Sequence, residues 1–442
     1  MPSSYKLSYT RTDSDLLNTL KPPSKGYWIT VSLLFVGVLI GAYGWGTQIL
    51  YGMGMSGKNN PVGWALYITT FVFWVGIAHS GTLISAILFL FRVRWRAPVY
   101  RSAEAVTVFA LTVAGLFPLI HLGRVWVFYW MLPVPQMGDM WPNFKSPLVW
   151  DLFAVFTYLT VSSTFFILGM MPDVAILRDK FSGWKKKIYG VLSLGWRGTD
   201  QQWRHYTSAY VFLAALATPL VISVHSIVSW DFAMSVVPGW HDTIFAPYFV
   251  AGAIHSGLAM VLILLIPMRK WLNLHAYLTD HHLASLAKMM IFTAFVVGFA
   301  YVVEFFIAWY GGDIYKQDVF LYRAFGTYWW GFWGLFFFNF MLPMLFWIHK
   351  YRTSTFWLLF VSIGVSIGMW LERFVIIITS LSHEYNPFSW GSHHLTMTEI
   401  YIIIGSFSLF FFLFMVFAKV LPVVSNWEVK ETMEPPRKSS SQ

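Results

Sequence analysis

His121, Asp151 and Asp231 stand at the ends of long apolar stretches, where an ionisable side chain is least expected. Placing one inside a bilayer costs about 2.5–3.5 kcal/mol on insertion scales, so such residues are candidates for function. One imidazole and two carboxylates at a common depth suit proton-coupled redox chemistry. Oxidising a hydroquinone releases electrons and protons together, and a neutral histidine or a carboxylate within hydrogen-bond reach of each ring hydroxyl can take a proton as charge develops. Arg124, one turn beyond His121, would lie nearby. An apolar, aromatic slot open to lipid would hold the ring and its tail. A plainer reading stands beside this one: an aspartate at a helix end is often an interfacial residue or a cap, and His121 could bond a neighbouring helix.

A second set of polar residues lies deeper. His79 and His255 fall mid-stretch, Glu304 sits in a later apolar run, and Glu372 and Arg373 are adjacent in another. They could form a proton path, or Glu372 or Arg373 could pair with Glu304 or another neighbour to hold helices together. The loop pairs His281–His282 and His393–His394 read as solvated rather than metal-binding. Cysteine is absent, which excludes thiolate-bound iron–sulfur clusters, covalent haem attachment and thiolate zinc sites.

The elements that must carry these residues are membrane helices. Of the 442 residues 57% are hydrophobic, 20% aromatic and only 11% charged, against roughly 25% charged in soluble domains. A span needs about 20 mostly apolar residues. That rule predicts an all-α polytopic protein with spans near 29–50, 62–91, 102–130, 148–171, 206–230, 244–268, 286–311, 324–347, 355–382 and 395–421. The polar first 25 residues do not read as a cleaved signal peptide. With the N-terminus inside, 24 of the 30 Lys and Arg residues fall on the cytoplasmic face, satisfying the positive-inside rule. Lys58, Arg124, Lys145, Lys316 and Arg323 fall outside, and Arg373 within a span. The net charge of +10 is therefore a topology signal, with some attraction to anionic lipid, and not the mark of a nucleic-acid partner.

An internal repeat orders the spans. Ile77-Ala78-His79-Ser80-Gly81 returns as Ala253-Ile254-His255-Ser256-Gly257, an offset of 176. In the next helix an offset of 183 sets Phe109 on Phe292, Gly115 on Gly298, Trp126 on Trp309 and His121 on Glu304. The chain thus reads as a cytoplasmic segment (1–28), a flanking span (29–61), two related four-helix bundles (62–232 and 233–383), a second flanking span (384–422) and a cytoplasmic tail (423–442).

The stretch from His79 to Ala86, continuing to Phe91-Arg92 and Trp95-Arg96, resembles the membrane subunits of the NrfD and polysulfide-reductase type, most of all the C subunit of bacterial alternative complex III. The runs His121–Trp126 and Ser146–Asp151, and Pro172-Asp173 closing the fourth span, are similar too. The resemblance implies a ten-span subunit of the bacterial inner membrane, both termini cytoplasmic, binding menaquinol or ubiquinol near the periplasmic face through His121, Asp151 and Asp231, with Arg124 beside them. It implies no haem or iron–sulfur cluster on this chain. The partners it implies are an iron–sulfur subunit, haem c subunits and a homologous ten-span subunit. It also implies proton paths, for which His79, His255, Glu304, Glu372 and Arg373 are candidates.

Three alternatives are open at this point. One is a quinone-reducing membrane anchor of a polysulfide-reductase-like molybdoenzyme. Another is a secondary transporter, although Pro118 and Pro219 mark no matched pair of broken helices. The last is a b-type cytochrome with His121 and His225 on one haem.

Overall fold

The computed structural model describes residues 9–132, 141 and 143–433. Lys6, Arg437 and Lys438, three of the basic residues assigned to the cytoplasmic face, lie outside the described residues, as does the side chain of Arg11. The chain is all-α. Ten helices are long and apolar enough to cross a membrane: Lys25–Tyr51, Leu66–Leu90, Tyr100–Leu122, Pro147–Lys180, Asp200–Ala233, Phe245–Trp271, Asp280–Tyr310, Trp329–Trp347, Thr355–Ser382 and Met397–Val420. Helices suit this setting because each satisfies its own backbone donors and acceptors where no water can. They alternate in direction, so the bundle has two ends. One carries Lys58, in the loop after the first helix. The other carries Arg101, in the first turn of the third.

Several spans depart from the sequence expectation: the fifth and seventh each begin six residues early, at Asp200 and Asp280, and three others differ for identifiable reasons. The third stops at Leu122 instead of running to 130, because Gly123 adopts φ +71°. That left-handed conformation ends helices and favours glycine. The aromatic run that follows is a tight 3-10 segment, Val125–Met131. The fourth helix is not closed by Pro172-Asp173 but continues to Lys180. The eighth begins at Trp329 rather than 324, since a separate amphipathic helix, Ile314–Phe325, ends at Gly326. The repeat register is also imperfect: Gly115 interrupts the third helix, whereas Gly298 lies inside an unbroken seventh.

The repeated motif has a packing role. The second and sixth helices cross with Gly76 facing Ala253 and Ser256, and Gly257 facing Ser80 and Ile77. A methyl group at Gly257 would stand 2.9 Å from the Ile77 carbonyl oxygen and would overlap the Ser80 side chain. Small residues matter here because lipid supplies no hydrophobic drive between helices, so close van der Waals approach must do so. The first and tenth helices cross in the same manner, Gly41 against Gly405, with Gly37 facing Ser408 and Gly44 facing Tyr401.

Gly257→Val is expected to lower the melting temperature of the detergent-solubilised protein, by on the order of 1–3 kcal/mol of overpacking. Adding Ser80→Gly to that variant should recover part of the loss. An unchanged melting curve for Gly257→Val would show that the crossing does not constrain the bundle.

Candidate functional site

The fourth and fifth helices are antiparallel neighbours, so the start of one meets the end of the other. Pro147 opens the fourth in its first helical position, a place where its missing N–H costs nothing. Asp151 follows one turn in. Asp231 lies in the last turn of the fifth helix. The structure brings these two carboxyl groups within hydrogen-bond reach of each other. A hydrogen bond between two carboxyls requires a proton on one of them. Asp151 is 8% exposed, and the Oδ1 atom of each aspartate is buried with no protein partner among the described residues. The pair can therefore hold a shared proton, and among the described residues no other group donates to either buried Oδ1.

Aromatic rings flank it. Trp150 and Trp230, the residues preceding the two aspartates, meet edge to face at 6.1 Å between centroids. Phe232, next to Asp231, packs on Trp64 at 5.7 Å and Trp240 at 4.9 Å, and Trp240 anchors its indole N–H on the Ile376 carbonyl at 2.6 Å. Leu148, Phe153 and Phe156 on the fourth helix are exposed, so the surface beside the pair is apolar.

His121 reaches the same end of the bundle but has another partner. Its Nδ1 stands 2.7 Å from Lys58 Nζ, and Lys58 also lies over the Tyr67 ring at 5.1 Å. The Tyr67 hydroxyl donates to Gln48 Oε1 at 2.6 Å, and Gln48 Nε2 donates to the Ile120 carbonyl at 2.7 Å. Helices one, two and three are thus tied around His121. Among the described residues no hydrogen bond or ion pair joins His121 to either aspartate. Arg124 is exposed beyond Gly123. Burial pushes the Lys58 ammonium down to about 7, against the opposing pull of Glu399.

The deeper residues separate into two kinds. Glu372 and Arg373 form a buried ion pair with each other, and Glu372 also accepts from the Tyr301 hydroxyl and from Asn339 Nδ2 at 3.4 Å. Arg373 covers the Phe249 ring at 4.4 Å. Glu304 does not complete that pair. Its Oε1 is buried without a partner among the described residues. His255 shares a hydrogen bond with Thr293 Oγ1 at 2.8 Å. His79 Nδ1 donates to the Val75 carbonyl, 2.7 Å away, and its ring meets His225 at 4.5 Å. His225 therefore neighbours His79, which tells against the His121–His225 haem pairing raised as an alternative. His393, expected to be solvated, is buried and lies 3.3 Å from Glu399.

Sequence reasoning misses a polar cluster at the opposite end. Arg96 and Arg101 read as loop charges, yet both are buried. Arg101 pairs with Asp173 at 3.0 Å and donates to the Gly169 carbonyl at 2.7 Å; Arg96 pairs with Glu428 at 2.9 Å. Tyr210 donates to Glu104 Oε1 at 3.4 Å beside them. The available signal is Asp173 itself, an acid inside an apolar run that needs a cation. Among the described residues no group of three or more His, Asp or Glu side chains could hold a metal ion.

The profile of the family described as polysulphide reductase, NrfD, matches residues 54–383, which takes in the second to ninth helices. The chain belongs to this NrfD family. It is 29% identical over 280 residues to a Halobacterium salinarum protein provisionally named as the membrane C subunit of a dimethyl sulfoxide reductase, covering 63% of the chain and 59% of that protein. It is 23% identical over 249 residues to the C subunit of the selenate reductase of Mesobacillus selenatarsenatis, covering 54% and 56%. The chain thus spans somewhat over half the length of these two relatives. The Hdr-like menaquinol oxidoreductase integral membrane subunit of Archaeoglobus fulgidus is 21% identical over 430 residues, covering 92% and 96%.

Lys58 allows a pH test. With its folded value near 7 and an unfolded value of about 10.4, the unfolded chain binds more protons between those limits. Stability should then rise with pH from about 7 to 10. Lys58→Met is expected to flatten that part of a melting-temperature profile; an identical slope in the variant would show that Lys58 is charged in the folded protein throughout.

Proposed function

We propose that this chain is the quinol-oxidising membrane subunit of a multi-subunit reductase, and that Asp151 and Asp231 receive the quinol protons. The observation that carries the reading is the carboxyl pair. Two acids lie within hydrogen-bond reach of each other, with no cation paired to either among the described residues, beside an apolar aromatic surface. A structural ion pair cancels its own charge, whereas two carboxyls have spare proton capacity. One carboxylate accepts a proton as a ring hydroxyl is oxidised, and the neighbouring acid relays it outward. In this reading His121, held by Lys58, would hydrogen-bond the second hydroxyl, and exposed Arg124 lies beyond Gly123 at the rim.

The relatives' names support the molybdoenzyme-anchor reading, and since a dimethyl sulfoxide or selenate reductase consumes electrons, we take the direction here to be withdrawal of electrons from quinol rather than reduction of quinone. The partners implied are an iron–sulfur subunit and a molybdenum-type catalytic subunit. The second reading is alternative complex III with haem c subunits and a sister ten-span protein; the match to a menaquinol oxidoreductase subunit across nearly all of both chains supports quinol oxidation in either reading. Identifying the proteins that co-purify separates the two. With the arginine-rich end facing the cytoplasm, both termini are inside the bacterial inner membrane and the carboxyl pair releases protons outward. Translocation inward from the pair would need His79, His255 and Glu304, whose unpartnered atoms are open to it; Glu372 and Arg373 fit a structural pair better.

Asp151→Asn and Asp231→Asn should each lower quinol-dependent turnover of the assembled complex by at least 100-fold, in line with the loss of a general base. Electron transfer from an artificial donor to the partner subunits should be unaffected. Wild-type quinol turnover in both variants would overturn the assignment.

A further inference from the structure

A cavity of about 680 Å³ opens at the Arg101 end, between the first, sixth and tenth helices. It lies at the end opposite the carboxyl pair. Its walls are graded. At the mouth stand Asn18, Lys21, Ser24 and Lys419; deeper are Leu34, Ile263 and Phe411. From the helix start at Lys25 to Leu34 the rise is about 13 Å at 1.5 Å per residue, close to half of a hydrocarbon core about 30 Å thick. No aspartate or glutamate is among the lining residues. Lys419 Nζ donates to the Thr19 carbonyl at 2.9 Å, which uses one of its hydrogens and holds the chain entering the first helix over the mouth. The other two remain for a ligand.

We infer that this cavity holds an anionic phospholipid, with its phosphate between Lys21 and Lys419 and an acyl chain along Leu34, Ile263 and Phe411. Three features converge on that occupant. Two ammonium groups with no lining acid select a negative headgroup, and the apolar wall runs for the depth of one leaflet. The volume is also that of a built ligand pocket. A quinone ring carries no charge to pair with the lysines. This inference does not rest on the proposed quinol chemistry.

The test uses the purified protein stripped of lipid, titrated by native mass spectrometry with dioleoyl-phosphatidylglycerol or dioleoyl-phosphatidylcholine. Phosphatidylglycerol should bind in preference. Lys21→Ala and Lys419→Ala should each weaken it roughly fivefold, and the double variant about thirtyfold. Ile263→Trp, which fills the apolar wall and leaves both lysines in place, should weaken it as well and guards against a misfolded lysine variant. Equal binding of the two lipids would overturn the proposal. So would full phosphatidylglycerol affinity in the lysine variants, or displacement of the lipid by millimolar inorganic phosphate, which would mark a free-phosphate site.

Discussion

Close approach of the second and sixth helices is the constraint from which the other positions follow. In lipid, helices gain nothing by hiding apolar surface from each other, so two glycines that admit neighbouring serines decide where the halves meet. The residues of that motif divide the work. Gly257 and Ser80 set the separation. His79 and His255 are carried on the same helical turns and are thereby buried at the centre. The fourth and fifth helices pack around this axis and bring Asp151 to Asp231.

The buried ionisable groups differ in what their neighbours do to them. Arg101 with Asp173, Arg96 with Glu428, and Glu372 with Arg373 are acid–base couples. Removing one partner from such a couple leaves an uncompensated charge, which is costly even where the intact pair adds little stability. The Asp151–Asp231 contact is of the other kind. Like groups gain nothing electrostatically from proximity, and their burial requires a proton to be held. A fold has little structural reason to keep such an arrangement, and a redox site has a good one.

The helices are legible in the sequence because length and hydropathy report them directly. Their limits are less so. The run from Leu116 to Met131 is apolar enough around His121 and Arg124 to read as one span, and it is the backbone of Gly123 that ends the helix. Arg96 and Arg101 read as surface charges because their partners are remote along the chain: Asp173 lies one helix away and Glu428 near the far end of the sequence. The common depth of His121, Asp151 and Asp231 follows from counting residues, but counting does not say which side chains touch. Lys58, in a short loop, offers no sign that it will claim His121. Counting also puts His225 at the depth of His121, whereas the turn geometry of the fifth helix sets it beside His79.

The pairing of the first helix with the tenth bears on how the protein is made. Lys25–Tyr51 is made before Met397–Val420, its main neighbour, which is synthesised some 350 residues later. At about 5–20 residues per second the wait is on the order of 20–70 s. Through that interval Gly37, Gly41 and Gly44 face lipid or a temporary companion, and these two helices lock together only after the eight between them have been made. Assembly of this bundle therefore closes like a clasp, with the first of the ten helices secured by the tenth.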